Sequence, residues 1–299
     1  MFWAMAFSAR VAAGVCAAAL TLATVAACVD GSKLVLSEQA DAHRISSHLR
    51  VQFTRAADAS NRAVMADTDE ASTAAAHEAE QATRAVQQDL DTLKPLLEHL
   101  TYSDEAALLE RFKTRFAEYR ALDADILPLA VENTNIKAQR LSFGPAQDAV
   151  NAFRQAIDAA GRMAAAKNAP AVEARVAKAT AAVLEVQVIE ARHIAESGEA
   201  AMSRMEAAMA TSASAAKKAL DTLKGLLPRG AEPQLAAAED ALARFTAINA
   251  EIVALSRRNS NVRSLALSLG KKRTVTAECD ATLQALEDAL ATHHFAATR

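Results

Sequence analysis

The chain has 299 residues, is 52% hydrophobic and 23% charged, and contains only 8 Gly, 6 Pro and 4% aromatic residues. Few helix breakers and a predominance of alanine favour long helices over sheet. A net charge of -3 and a pI near 6.2 leave no basic footprint, so nucleic acid is not an expected partner.

Residues 1–30 read as a targeting or anchoring segment. Arg10 precedes an uncharged run of 19 residues from Val11 to Val29, closed by Asp30. A helix of that length just spans a bilayer, and the flanking charges orient the body away from the cytoplasm. The reading is an uncleaved inner-membrane anchor carrying a periplasmic body. Val25-Ala26-Ala27-Cys28 also has the form of a lipobox, which would lipidate Cys28 and make the chain a periplasmic lipoprotein; simple secretion is the third version. All three put the body outside the cytoplasm. Cys279 is the only cysteine of the body, so its fold is expected to rest on its core without an internal disulfide.

Beyond residue 30, breaks fall at Thr101-Tyr102-Ser103-Asp104, at Lys167-Asn168-Ala169-Pro170 and at Pro228–Pro233. Helices are predicted over 32–99, 103–166, 171–227 and 233–296. Short connections make neighbours antiparallel, so the fold class is all-α, an up-down-up-down four-helix bundle over 31–299. A helix of about 60 residues runs about 90 Å, which makes the predicted body a rod. Gly144-Pro145 in the second helix and Gly270 in the fourth predict a kink in each, because proline removes a backbone donor.

The body is also a duplication, with copies at about 32–166 and 171–296. Leu90-Asp91-Thr92-Leu93-Lys94 returns as Leu220-Asp221-Thr222-Leu223-Lys224, and Glu132-Asn133-Thr134-Asn135-Ile136-Lys137 returns as Arg258-Asn259-Ser260-Asn261-Val262-Arg263. Leu141-Ser142-Phe143-Gly144 matches Leu267-Ser268-Leu269-Gly270. The offset falls from 130 to 126, so the second copy is four residues shorter at the intervening turn. Two repeated helical hairpins related by a pseudo-twofold are expected.

Apolar stripes run through both copies, Leu109, Phe112, Phe116, Tyr119, Leu122, Ile126, Leu129 in one and Leu235, Ala238, Leu242, Phe245, Ile248, Ile252, Leu255 in the other. Steps of three and four put each set on one helical face. The next step reaches Asn133 and Asn259, with Lys137 and Arg263 one turn on. A buried amide without a partner costs about 1–3 kcal/mol, so another amide, a water or a ligand must satisfy each. Two amides and two cations suit a small carboxylate, an organic acid or amino acid, which makes Asn133, Lys137, Asn259 and Arg263 the candidate ligand site. The structural alternative is a core asparagine that fixes helix register, with cations that extend to solvent.

No enzyme, cofactor or metal is expected. Glu190-Ala191-Arg192-His193 has the Glu-x-x-His spacing of di-iron bundles, but those need a second such motif and two further glutamates. His293-His294 lies in a C-terminal tail, and neither a phosphate-binding Gly-rich loop nor a Gly-x-Ser-x-Gly turn occurs.

An apolar N-terminal segment leading into long bundle helices resembles the periplasmic sensor region of methyl-accepting chemotaxis receptors. The helix lengths, the midway breaks and segments such as Asn133–Ala138 and Ser264–Ser268 look more like the bimodular variant with two stacked bundles than the simple four-helix one. The resemblance implies a non-enzymatic sensory module that binds a small ligand or a partner bundle, with homodimer or receptor partners through helical packing. No second span or cytoplasmic signalling hairpin follows in this sequence. The alternative is a structural or adaptor envelope lipoprotein acting as a helical spacer.

Overall fold

In the computed structural model, backbone is described for residues 5–296 and side chains for residues 35–293. The apolar run from Val11 to Val29, and with it Cys28, lies outside the residues whose side chains are described. Among the described residues there is no strand, and no helix is long and apolar enough to cross a membrane.

The helices are α1 (Met5–Met65), α2 (Asp69–His99), α3 (Ser103–Glu132), α4 (Thr134–Leu141), α5 (Gln147–Gly161), α6 (Ala169–Ala195), α7 (Glu199–Leu226), α8 (Glu232–Arg258), α9 (Ser260–Leu267) and α10 (Arg273–Ala296). Predicted helices 32–99 and 171–227 are each a hairpin instead of one rod. The chain turns after Met65 and again, 130 residues later, after Ala195. At the first turn Thr68 caps α2, its Oγ1 accepting from the Ala71 amide at 3.1 Å, and Asp69 and Glu70 add negative charge to the first turn. At the second, Glu196 Oε1 accepts from the amides of Ser197 (2.9 Å) and Gly198 (2.8 Å). Each repeat therefore holds five α-helices among the described residues, α1–α5 and α6–α10, the fourth of them short.

The kink expected at Gly144-Pro145 is a π-helical turn, Ser142–Ala146, whereas at Gly270 the backbone leaves helical geometry (φ -85°, ψ -120°) and the chain kinks between α9 and α10. A π turn skips one ordinary backbone bond, which absorbs the donor that Pro145 lacks.

The chain divides into two compact units. One comprises Met1–Ala59, Glu78–Ala121 and Lys272–Arg299; the other comprises Ser60–His77 and Leu122–Lys271. The first unit takes most of α1, α2 and α3 from one repeat and α10 from the other. The second takes α6–α9 from one repeat and, from the other, α4, α5 and the ends of α1, α2 and α3 around residues 60–77 and 122–132. The final helices are thus exchanged between the repeats.

In the first unit, Phe53 of α1 sits edge-on against Phe112, Phe116 and Tyr119 of α3, with centroids 5.6, 6.2 and 5.3 Å away. All four rings are buried, as the stripe predicts for Phe112, Phe116 and Tyr119. Buried Lys272 places its ammonium 5.1 Å from the Tyr119 centroid. Ion pairs Arg55–Glu78, Lys94–Glu110 and Arg50–Glu287 join the helices at the surface. In the second unit, Phe153 and Ile157 of α5, Val183 and Val186 of α6, Leu220 and Leu223 of α7, and Phe245 and Ile252 of α8 form one core. The small residues Ala179, Ala216, Ala219, Ala238 and Ala241 let the backbones approach within it.

Candidate functional site

Asn133 and Asn259 are where helices stop. Both adopt left-handed backbone, with φ 50° and 55°, ending α3 and α8 and starting α4 and α9. Among side-chain-bearing residues, asparagine tolerates this region best, because its short amide bonds locally. The sequence reading set both on the core-facing side of a continuous helix; both are buried, but the helix stops at each.

A helix start leaves backbone amides without partners. Neither Asn133 nor Asn259 caps its own helix through its side chain. Instead α4 and α9 cap each other. The Thr134 amide donates to Ser260 Oγ at 3.1 Å, and the Ser260 amide to Thr134 Oγ1 at 3.0 Å. The Asn135 amide donates to Asn261 Oδ1 at 3.1 Å, and the Asn261 amide to Asn135 Oδ1 at 3.2 Å. Each bonded pair consists of repeat counterparts, which is the signature of a local twofold. Glu132 and Arg258, also counterparts, form a two-pronged ion pair, and Arg258 holds the Glu132 carboxyl below its usual range.

The hinge asparagines complete this junction. Asn133 Nδ2 donates to Asp69 Oδ1 at 3.0 Å, and its Oδ1 accepts from Asn261 Nδ2 at 2.9 Å. Asn259 Oδ1 accepts from Asn135 Nδ2 at 2.8 Å, and its Nδ2 donates to the Glu196 carbonyl at 2.8 Å. Asn135 Nδ2 also reaches the Ile194 carbonyl at 2.7 Å. Both amides are therefore occupied by protein partners at both ends. Lys137 donates to the Glu132 carbonyl at 2.9 Å and lies 3.4 Å from Asp69 Oδ2. Burial opposes ionisation of Asp69, but the Asn133 bond and the Lys137 charge hold its carboxyl below the usual range. Arg263 is exposed, its charge acting on Glu132. The structure thus gathers Asn133, Lys137 and Asn259 at one junction whose hydrogen bonds close on themselves, and leaves Arg263 at its edge. Thr134, Asn135, Ser260 and Asn261 complete the junction; they stand in the repeated block, but their role as mutual caps is missing from the sequence reading.

A second polar group lies on α6. Glu190 and His193 are both fully buried, one turn apart. His193 Nδ1 is 2.7 Å from Ser256 Oγ, and its Nε2 is 2.9 Å from Glu206 Oε1. Arg257 also binds Glu206, at 2.5 Å, and reaches Ser203 Oγ at 2.8 Å. The Arg257 bond, opposed by burial and aided by His193, holds Glu206 below its usual range. This Ser–His–Glu line has the composition of a catalytic triad. However, Ser256 lies inside a helix and donates to the Ile252 carbonyl at 2.7 Å, and no paired backbone amides face it. The arrangement reads as a buried polar tie among α6, α7 and α8. Among the described residues, no group of three or more His, Cys, Asp or Glu side chains is placed to hold a metal.

Two surface grooves lie elsewhere on the described residues. One, about 680 Å³, lies between α3 and α10 in the first unit and includes Arg111, Arg115, Glu118 and Glu278. Arg115 pairs with both glutamates there, at 2.9 and 3.1 Å, which neutralises much of its attraction for an anion. The other, about 320 Å³, sits at the α7–α8 turn, where Lys224 pairs with Glu239.

No known protein family matches this chain, and no curated protein matches it.

Proposed function

We propose that the chain is a non-enzymatic extracytoplasmic sensory module of the bimodular chemoreceptor kind, in which each compact unit is a four-helix bundle: α1, α2, α3 and α10 in one, α5–α8 in the other. The observation that carries this reading is the division into two helical units, each completed by a helix from the other repeat. Two bundles built from one duplicated unit are what the resemblance to bimodular sensors implies. The N-terminal apolar run would tether the module to the inner membrane with its body in the periplasm, and a small organic acid or amino acid remains the expected ligand class.

The test is a thermal-shift screen of the purified full-length chain against organic acids, amino acids and amines. A sensor gives a saturable rise in midpoint with at least one compound, because a ligand that binds only the folded state stabilises it by mass action. A flat response across the panel removes the reading.

One observation favours the second reading, a helical adaptor or spacer of the envelope. The amides of Asn133 and Asn259 bond to protein, and the closed junction needs no ligand to satisfy it. An adaptor gives the flat response and instead binds another helical protein.

A further inference from the structure

Glu190 is a carboxyl whose surroundings in the second unit make its ionised form costly. It is fully buried on α6. Its Oε2 accepts a bond from Ser142 Oγ, at 3.0 Å, in the π turn, and its Oε1 has no hydrogen-bond partner. A buried carboxylate oxygen without a donor is the arrangement that protonation relieves, since the acid form becomes a donor itself.

The repeat identifies what that donor would meet. The counterpart of Glu190 is Ser60, and the counterpart of Asp123 is Asn249, at offsets of 130 and 126. Ser60 Oγ donates to Asp123 Oδ1 at 2.7 Å. In the second repeat α8 packs on α6 and on the π turn, and the Ser60–Asp123 pairing carried across the repeat matches Asn249 of α8 with Glu190. Asn249 Oδ1 is buried and has no partner. Two acceptor oxygens in matched register, both lacking a donor, want one proton between them.

We propose that Glu190, Ser142 and Asn249 form a proton-binding site that makes the second unit responsive to pH near neutrality: the neutral acid donates to Asn249 Oδ1, and the ionised form does not. The inference is independent of the sensory reading. Burial pushes the Glu190 carboxyl up to about 7, with the Ser142 bond opposing. The charged groups on the surrounding helices are engaged elsewhere. On α6, His193 is held by Ser256 and Glu206, and Glu185 accepts from Ser212 of α7 at 2.9 Å. From α8, Arg257 binds Glu206 and Glu199. From α4, Lys137 is on the Glu132 carbonyl and Arg140 donates to the Asp67 carbonyl at 2.7 Å. The π turn offers Ser142 alone, and in its first turn α5 carries only Asp148, which is exposed.

The folded chain holds a proton on Glu190 between about 4.5 and about 7, where the unfolded chain has released it. Stability from this group is full below the lower value and is lost as pH rises through the upper one. The test compares the full-length chain with Glu190→Gln, an uncharged isostere of the protonated acid, by denaturant unfolding from pH 5 to pH 8. The two should match near pH 5. Above pH 7 the parent's folding equilibrium constant should fall behind that of the variant by roughly fiftyfold. A difference that stays constant with pH overturns the proposal. If the variant does not fold, the infrared carbonyl band of a protonated carboxylic acid decides on the parent alone. The band should be present at pH 6 and lost by pH 8; its absence at pH 6 overturns the proposal. Sodium or ammonium chloride that raises parent stability at pH 8, without raising that of the variant, would also overturn it, by showing a cation site instead.

Discussion

Leucine at both hinge positions, Asn133→Leu with Asn259→Leu, should destabilise the chain by about 4–6 kcal/mol. Leucine in left-handed backbone costs roughly 1–2 kcal/mol per site. Each substitution also removes bonds inside the junction. Loss of Asn133 orphans Asn261 Nδ2 and takes a donor from Asp69; loss of Asn259 takes a donor from the Glu196 carbonyl and an acceptor from Asn135. Buried groups stripped of a partner cost about 1–3 kcal/mol each, partly relieved here because Asn135 keeps the Ile194 carbonyl. The two asparagines share one hydrogen-bond network through Asn261 and Asn135, so the double variant should depart from the sum of the single ones. Glycine at both positions separates the contributions, restoring the backbone freedom while forfeiting the amide bonds, and should cost less than leucine. Denaturant unfolding of the three proteins provides the measurement. A leucine pair as stable as the parent would mean that neither the backbone turn nor the closed network matters.

Phe53→Ala should cost about 3–5 kcal/mol, the range for an aromatic ring removed from a close-packed interior. Phe53 is 1% exposed and contacts three rings of α3 edge-on, so a void opens where neither Phe112 nor Tyr119 can turn to fill it without abandoning another contact. Phe53→Leu fills part of the volume and should lose less than half as much. Thermal and denaturant midpoints of the two variants test the ordering. Equal stability of Phe53→Ala and the parent would show that this cluster is not a core.

The apolar pattern carried most of the secondary structure. The stripe from Leu109 to Leu129 is buried nearly throughout, Gly144-Pro145 falls in a π turn, and the chain kinks at Gly270. The turns after Met65 and Ala195 escaped because nothing in the periodicity stops there. Their signals are short and polar: Thr68 followed by Asp69 and Glu70, and Ser197-Gly198 followed by Glu199. Each is weak alone, but both stand at the same place in the two repeats, and that coincidence was the usable information. With these turns missing, the duplication reads as two hairpins and the exchange of α5 and α10 stays hidden. At the junction, the sequence pointed to the right buried asparagines but not to the helix breaks they make. A helix-period stripe can be extended through any residue on paper, whereas left-handed backbone leaves a trace only in the preference for Asn or Gly. The clearest hint of contact was a mismatch. Glu132 and Arg258 are the counterparts that carry opposite charges in otherwise similar blocks, and opposite charges are what one position needs if it must meet itself. Burial of Glu190 had no such hint, since its neighbours on α6 alternate between apolar and charged residues.

In the α4–α9 junction Thr134 bonds Ser260, Asn135 bonds Asn261 and Glu132 bonds Arg258, always a residue with its own counterpart. That is the contact rule of an isologous interface, the kind two identical subunits make about a twofold axis. A single repeat with its last helix lent to a second copy would form the same junction as a symmetric dimer. Joining the two copies through the short 162–168 connection keeps every contact and frees the halves to diverge. An identical pair would have to oppose glutamate to glutamate, or arginine to arginine, at this position. The Glu132–Arg258 pair is therefore a contact that only a fused pair can acquire, and it makes the two halves unequal partners.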